Sequence, residues 1–185
     1  MAMLAAPISD DISRLFKQID VEADRDPSDH ITIFYFGDNT PIDKIAKIMK
    51  AVFDITQDAK PFDAEVAKIT TFEKGKYGYP IIGEVKSKGL IELRDKIEKS
   101  FKNSNIKFDN KYPEYKPHIT LGYSSEKPKD IKIDKFKFSI PQISLYGGDE
   151  HDERVFINFP FSFGLSKNAK INNYSKAYES IVKFF

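Results

Sequence analysis

The chain has 185 residues and a mass of 21.2 kDa, a length that fits one domain or two small lobes sharing a core. Hydrophobic residues make up 41% of it and aromatic residues 14%, which argues against disorder, and its 16 Phe predict a phenylalanine-rich core. Its 29 basic and 28 acidic residues leave a net charge of +1, which gives no global field for nucleic acid or an acidic membrane. Any anion-binding surface must therefore be local.

The chain contains no cysteine, which excludes disulfides, thiolate nucleophiles and the common structural zinc sites. The opening MAMLAAPIS is too short for a signal-peptide core and lacks a basic leader. No run approaches the ~18 to 20 apolar residues of a membrane span. We therefore expect a soluble, cytoplasmic protein that makes no use of a membrane.

The first third of the chain predicts two strands and two helices. MLAAPIS is a short strand, and SDDISRLFKQI is a helix that Ser9 can cap. HITIFYFG, from His30 to Gly37, is the next strand, and an amphipathic helix follows GDNTP. The apolar faces of the two helices are predicted at Ile12, Leu15, Phe16 and Ile19, and at Ile42, Ile45, Met49, Val52 and Phe53.

Two strands are expected at 62–73 and 79–85, joined by EKGKYG, and a third helix from about 89 to 101. The irregular NSNIKFDNKYPEYKP leads to HITLGYSS, which begins at His118. The next predicted strands are IKIDKFKFSI, with a slip in its alternation near Asp134, ISLYGG before a turn, and VFINFPFSF, and we expect them to be antiparallel partners.

This order predicts an α+β fold of two similar lobes related by internal duplication, each contributing one motif strand. We expect residues 1–164 to form the two lobes. Residues 165–185 are predicted to be a polar linker and a C-terminal amphipathic helix, which docks on the domain or serves self-association or attachment.

Two of the three histidines stand in nearly the same sequence, HITIFY and HITLGY. Strand alternation places His30, Thr32 and Phe34 on one face, and His118 and Thr120 on the matching face of the second copy. Two such strands side by side would form a cleft floored by two imidazoles and two hydroxyls.

That set of groups suits a phosphodiester. One neutral imidazole can take a proton from the attacking oxygen while a protonated one gives a proton to the leaving oxygen. The hydroxyls can donate to nonbridging phosphate oxygens. A single HxT strand is more typical of an ordinary half-buried strand, and a His/His metal site is an intermediate alternative, but neither motif places an acid on the His face. His151, in the turn GGDEHDER, is expected to be solvated.

The paired H-hydrophobic-T-hydrophobic motifs resemble the signature of the two-histidine (2H) phosphoesterase superfamily. KPHITLGY is similar to the form in members known as 2′-5′ RNA ligase-like proteins, and the opening up to HITIFYFG resembles the phage-encoded branch. The resemblance implies a bilobal fold with two antiparallel sheets around a central cleft and helices outside. It also implies His30 and His118 as the catalytic pair and Thr32 and Thr120 as phosphate ligands, with no metal or cofactor.

Members of that superfamily open 2′,3′-cyclic phosphates, cleave 2′-5′ or 3′-5′ linkages, or, in some viral cases, degrade nucleotide signals of host immunity. The resemblance therefore implies a nucleotide hydrolase, acting in the host cytoplasm if the protein is viral. We expect its substrate to be a small nucleotide or short oligonucleotide, because the sequence shows no extended basic surface. A non-catalytic RNA-binding, nucleotide-binding or virion-associated module is the alternative from another class. RNA ligation by the same residues is a third.

Substrate selection is expected at the cleft rim, where EKGKYGYP and DNKYPEYKP combine cations with rings that can hold phosphates and stack bases. Lysines beside packing tyrosines are also typical of ordinary surface. Phe34 is equally suited to stacking a base and to filling the cleft floor, and Tyr35 and Tyr123 are expected to support the strands from behind. The candidate binding residues are Phe34, Lys76, Tyr77, Tyr79, Tyr112, Tyr115 and Lys116.

Overall fold

The structure is a computed structural model that describes residues 1–19, 28–111, 114–148 and 154–161. The predicted linker and C-terminal helix, Tyr112 and His151 lie outside these ranges. The elements in chain order are β1 (Ala2–Pro7), α1 (Asp10–Lys17), β2 (His30–Gly37), α2 (Ile42–Thr56), β3 (Phe62–Thr71), β4 (Tyr79–Lys86), α3 (Lys88–Asn103), β5 (His118–Ser124), β6 (Ile131–Ile140), β7 (Gln142–Gly148) and β8 (Arg154–Pro160).

The strands form two four-stranded antiparallel sheets, which confirms the predicted α+β class. The first sheet has the order β2-β1-β7-β8 and the second has the order β5-β4-β3-β6. Each motif strand, β2 or β5, is therefore the edge strand of its own sheet, and the two edges approach each other. This arrangement places one copy of the motif in each half of the molecule.

Of the last three strands, β7 and β8 are antiparallel partners as predicted, whereas β6 is not a partner of either. Strand β6 pairs with β3 in the second sheet, whereas β7 and β8 pair with each other and return to β1 in the first. The slip expected near Asp134 is present, since the pairing of β6 with β3 shifts register between Lys132 and Phe136. The chain thus crosses back to its first lobe before the described residues end.

The helices join the two sheets into one core. Phe16 of α1 packs edge-on against Phe136 of β6, with ring centroids 5.3 Å apart. The same ring lies under Gly83 of β4, where a Cβ atom would come within 2.9 Å of it.

Leu15, predicted on the buried face of α1, is 43% exposed, so that prediction is wrong. Ser9 is the N-cap residue, but its side chain makes no capping hydrogen bond. No helix in the described ranges is long and apolar enough to cross a membrane.

Both motif strands contain an irregularity directly after their threonine. The register of β2 with β1 skips Ile33, and that of β5 with β4 skips Leu121. An extra residue of this kind, a β-bulge, reverses the in-and-out alternation of every side chain that follows it. Thr32 and Thr120 therefore keep the face of their histidines, while the residues beyond them change sides.

The bulge corrects the predicted placement of Phe34. Its side chain is only 3% exposed and belongs to the core rather than to the His30 face. The rings of Phe101 and Phe108 meet it edge-on, with centroids 5.1 and 5.0 Å away. Phe34 is thus a core residue and does not offer a surface for stacking a base.

We expect Phe34→Ala to lower the free energy of unfolding by about 3 to 5 kcal/mol, because it empties a closely packed aromatic site. Leu15→Ala, on the exposed side of α1, is the control and should change it by no more than about 0.5 kcal/mol. Urea unfolding followed by circular dichroism measures both. Similar small losses in the two variants would place Phe34 on the surface after all.

Candidate functional site

The two motif strands are joined by reciprocal hydrogen bonds. The backbone N–H of Ser28, just before the first motif, donates to the Thr120 carbonyl at 2.7 Å, and the Thr120 N–H donates to the Ser28 hydroxyl at 3.1 Å. In the other direction, the Tyr115 hydroxyl, just before the second motif, donates to the Thr32 carbonyl at 3.1 Å. Each lobe therefore holds the motif of the other, and the two histidines are brought to one site.

His118 has one ring nitrogen engaged. Its Nδ1 lies 2.7 Å from the Lys116 carbonyl oxygen, which can only accept a hydrogen bond, so Nδ1 carries a proton. In the neutral imidazole, Nε2 is then left with its lone pair free to accept one. The edge of the Phe72 ring fixes the imidazole plane from the side, with centroids 4.9 Å apart. Burial lowers the pKa of His118 below 6.5, against the opposing effect of the Lys116 carbonyl.

His30 begins β2 and is half-buried, with its ring centroid 6.0 Å from that of Tyr146. Burial lowers the pKa of His30 below 6.5, Asp29 opposes this change, and the charge of His118 lowers the pKa further. The two imidazoles therefore interact electrostatically, and a proton on one disfavours a proton on the other. A pair of this kind favours the state with one neutral and one protonated ring over the doubly protonated state.

The motif threonines differ from the others in the chain in how their hydroxyls are used. In the described part of the chain, neither the Thr32 nor the Thr120 hydroxyl has a hydrogen-bond partner, although both residues are half-buried. The remaining threonines all donate to a protein oxygen. They are Thr40, Thr56, Thr70 and Thr71. The hydroxyls beside the two histidines are thus available to a ligand.

The rim turn between β3 and β4 lies against the second motif strand. Tyr77, at its tip, is 51% exposed and meets Tyr123 edge-on at 5.8 Å. Tyr123 follows the bulge of β5, which turns it to the face of the motif histidine instead of supporting the strand from behind. Gly78 has a φ of 109°, and a Cβ there would collide with the Ser124 carbonyl oxygen.

Lysines of the same turn lie over its rings, Lys76 at 5.2 Å from the Tyr77 centroid and Lys74 at 5.7 Å from that of Tyr79. Tyr35 also follows its bulge to the motif face, and its hydroxyl donates to Asp38 at 2.6 Å. The predicted rim residues Lys76, Tyr77 and Tyr79 therefore lie together beside β5, at one side of the site.

Tyr115 connects the site to a largely buried cation, Arg94, which was not among the predicted site residues. The Arg94 guanidinium lies between two rings, 4.7 Å from the centroid of Tyr115 and 4.9 Å from that of Phe34. Glu98 neutralises it at 2.7 Å. Burial raises the pKa of Tyr115, against the effect of Arg94. An arginine on the apolar stripe of α3 was the available signal, whereas nothing in the sequence marks Ser28.

Lys116 forms an ion pair with Glu114 at 3.1 Å, and its carbonyl orients His118. Tyr112, predicted beside it, is outside the described residues. Within the residues described, no group of three or more His, Cys, Asp or Glu is arranged to hold a metal ion.

A family model described as the 2′-5′ RNA ligase superfamily matches residues 6–150. TT0787 of Thermus thermophilus aligns with a TM-score of 0.68 at 14% identity, over 86% of this chain and 97% of that one. E. coli LigT complexed with NADP+ aligns at 0.60 and 18% identity, over 87% of this chain and 94% of that one. LigT complexed with 3′-AMP aligns at 0.58 and 16% identity, over the same shares of 87% and 94%. No curated protein sequence matches significantly. At these identities the structural matches establish a shared fold.

We expect Tyr115→Phe to lower the free energy of unfolding by about 1 kcal/mol, because the Thr32 carbonyl loses its partner in the half-buried junction. Tyr35→Phe removes a similar hydroxyl from an exposed hydrogen bond and should cost less. Urea unfolding measures the loss, and the amide resonances of Thr32 and Ile33 should shift only in the Tyr115 variant. Equal losses with unmoved resonances would show that this bond does not hold the motif.

Both motif imidazoles should titrate with midpoints below 6.5 in the folded protein, because burial disfavours their charged forms. The folded chain then binds fewer protons than the unfolded one between the lowered pKa values and 6.5. The contribution of these two histidines to the free energy of unfolding should therefore be fully present above pH 6.5. It should decrease as the pH falls from 6.5 to the lowered pKa values. Proton NMR titration of the ring protons gives the midpoints, with the urea-unfolded chain as control. Folded midpoints at or above the unfolded ones would contradict this assignment.

Proposed function

Because the chain belongs to the 2′-5′ RNA ligase superfamily, we propose that it is a metal-independent phosphodiesterase that cleaves cyclic or 2′-5′ and 3′-5′ linked nucleotides with His30 and His118. The observation that carries the proposal is the reciprocal bonding of the two motif strands, which brings two interacting imidazoles to one site. The free hydroxyls of Thr32 and Thr120 support it, since they lie beside those imidazoles.

Opening a 2′,3′-cyclic phosphate needs one base and one acid. The neutral imidazole removes a proton from water, and the water oxygen forms a bond to phosphorus. The bond from phosphorus to one ribose oxygen breaks, and the protonated imidazole gives its proton to that oxygen. Because a proton on one ring disfavours a proton on the other, the site can hold the state with a single protonated imidazole, which both steps require. The rings end with their roles exchanged and return to the starting state by passing a proton through water.

The threonines contribute to the same step by binding the phosphate. Hydroxyls that have no protein partner can donate to the nonbridging oxygens, where negative charge grows as the water attacks. The Thr32 and Thr120 carbonyls are fixed by Tyr115 and Ser28, so the hydroxyls are held on strands of defined position. Positioning of this kind reduces the reorganisation needed to reach the transition state.

The size of the substrate is proposed to be that of a nucleotide or short oligonucleotide. The net charge of +1 offers no extended field for a long nucleic acid. LigT, which shares the fold, has been solved with NADP+, 3′-AMP and ATP. Degradation of nucleotide immune signals in a host cytoplasm is the form that this activity would take if the protein is viral.

His30→Ala and His118→Ala should each lower turnover by about 10²- to 10⁴-fold while leaving the fold intact, because each removes half of the proton transfer. EDTA should have no effect. The substrates are 2′,3′-cyclic mononucleotides, 2′-5′ and 3′-5′ oligoadenylates, and cyclic di- and trinucleotides, with products identified by mass spectrometry. His151→Ala, in the histidine outside both motifs, is the matched control and should keep full activity.

EDTA-sensitive cleavage, or full activity in either motif variant, would refute the mechanism. Binding of a panel member without any product over hours would support a nucleotide-binding module instead. Joining of RNA ends in place of cleavage would identify a ligase, which runs the same proton transfers in reverse.

A further inference from the structure

A cavity of about 340 Å³ opens beside His118 on the motif face of the second sheet. Its floor includes Ile82 and Glu84 of β4, whose register partners in β5 are Thr120 and His118. One wall is Phe72, which touches the imidazole edge-on. A group placed in this cavity would therefore be next to the proposed phosphate position.

The volume of the cavity sets the size of its occupant. At about 340 Å³ it falls at the small end of ligand pockets, which span roughly 300 to 1,000 Å³. It is far larger than the ~30 Å³ that one water occupies in the liquid. The apolar lining of Phe72, Ile82, Val85 and Pro117 suits a flat ring. One nucleobase fits this description, and a chain of several nucleotides does not.

The polar lining residues are Thr70, Glu84, Tyr115 and Lys116, and all except Glu84 are already bonded to protein. Thr70 is bonded to Asp130, Tyr115 to the Thr32 carbonyl, and Lys116 to Glu114. Across the part of the chain that the structure describes, the Glu84 side chain makes no hydrogen bond or salt bridge. Its carboxylate is therefore the one polar group of the lining that a ligand can engage without breaking a bond within the described protein.

The nearby Lys68 does not neutralise the charge of the Glu84 carboxylate. The Lys68 ammonium is bound to Asp130 at 2.6 Å. The pKa of Lys68 is raised first by that hydrogen bond and also by the charge of Glu84. Lys68 thus lies close enough to feel Glu84 but is held by another acid. The cavity keeps a hydrogen-bond acceptor with negative charge at its floor.

We propose that this cavity is a nucleobase subsite in which Glu84 selects bases that carry an exocyclic amino group. A carboxylate accepts hydrogen bonds and donates none, so it binds the amino groups of cytosine, adenine and guanine. Uracil presents a carbonyl oxygen where cytosine presents its amino group, and two acceptors facing each other repel. The inference rests on the proposed function and adds the class of base to it.

The same charge orients the ligand. A phosphate in the cavity would face Glu84 and be repelled, whereas a phosphate between the two histidines meets hydroxyl donors and a protonated imidazole. The base is therefore directed into the cavity and the phosphate to the motif strands. Selectivity should appear in binding, with little effect on the proton transfers themselves.

Cytosine and uracil nucleotides are the sharpest comparison, because the two bases have nearly the same size. Cytidine and uridine 3′-monophosphates are titrated calorimetrically, and the 2′,3′-cyclic forms are assayed for turnover. The wild type should favour cytosine by about tenfold in Kd and in KM, the effect of one hydrogen bond to a charged group. Glu84→Gln, which can both donate and accept, should reduce the preference in Kd and in KM to less than about twofold.

Glu65→Gln is the matched control, because it removes one acid from the same sheet outside the cavity, where Glu65 is paired with Lys135 at 3.3 Å. This variant should keep the wild-type preference. Circular dichroism melting checks that both variants fold. If Glu84→Gln does not fold, the subsite is tested by comparing the two bases in the wild type and in Glu84→Asp, which retains an acceptor. Equal binding of the two bases by the wild type, binding of neither, or an unchanged preference in Glu84→Gln would overturn the subsite.

The two proposals can fail separately. A cytosine preference in binding with no turnover of any panel member would refute the phosphodiesterase activity and support the subsite. Turnover that depends on both histidines but is equal for the two bases would support the phosphodiesterase activity and refute the subsite.

Discussion

The candidate site depends on the hydrogen bonds by which each lobe holds the motif strand of the other. Ser28 and Tyr115 both precede a motif in sequence, and both bind the carbonyl of the opposite threonine. Each bond contributes only about 1 kcal/mol, but together they fix the separation of two edge strands that belong to different sheets. Without them, His30 and His118 would be placed only by the packing of the core between the sheets.

Burial has opposite consequences for the two kinds of group at this junction. It lowers the pKa of both imidazoles and so keeps neutral rings available near neutral pH. It also leaves the unbonded polar groups of Thr32, Thr120 and Glu84, which are half-buried, less hydrated than fully exposed ones. A ligand with matching chemistry can therefore engage them at a smaller cost of lost hydration. Unused polar groups of this kind are a mark of binding surfaces rather than of ordinary packing.

Much of this arrangement could be predicted from the sequence, because it repeats. The two motifs identified the family, the placement of each histidine at the start of its strand, and the division into two sheets. The sequence did not predict that Phe34 lies in the core. A bulge is a local change of register, and a pattern that is interpreted as strict alternation does not reveal it. Arg94 was missed for a related reason: a cation stacked between two rings depends on which elements meet, and α3 meets β2 only in the folded chain. The contributions of Ser28 and Glu84 are likewise contacts between distant segments.

The matching bulges in β2 and β5 have a mechanical consequence. In each strand the bulge follows the threonine whose carbonyl is bonded to the other lobe, and in β2 the next residue is Phe34, which packs on Phe101 and Phe108. Because the extra residue is unpaired, the backbone at Ile33 can adjust more readily than the paired residues on either side of it. The bulge thus lets one strand present His30 and Thr32 to the cleft and still turn Phe34 into the core.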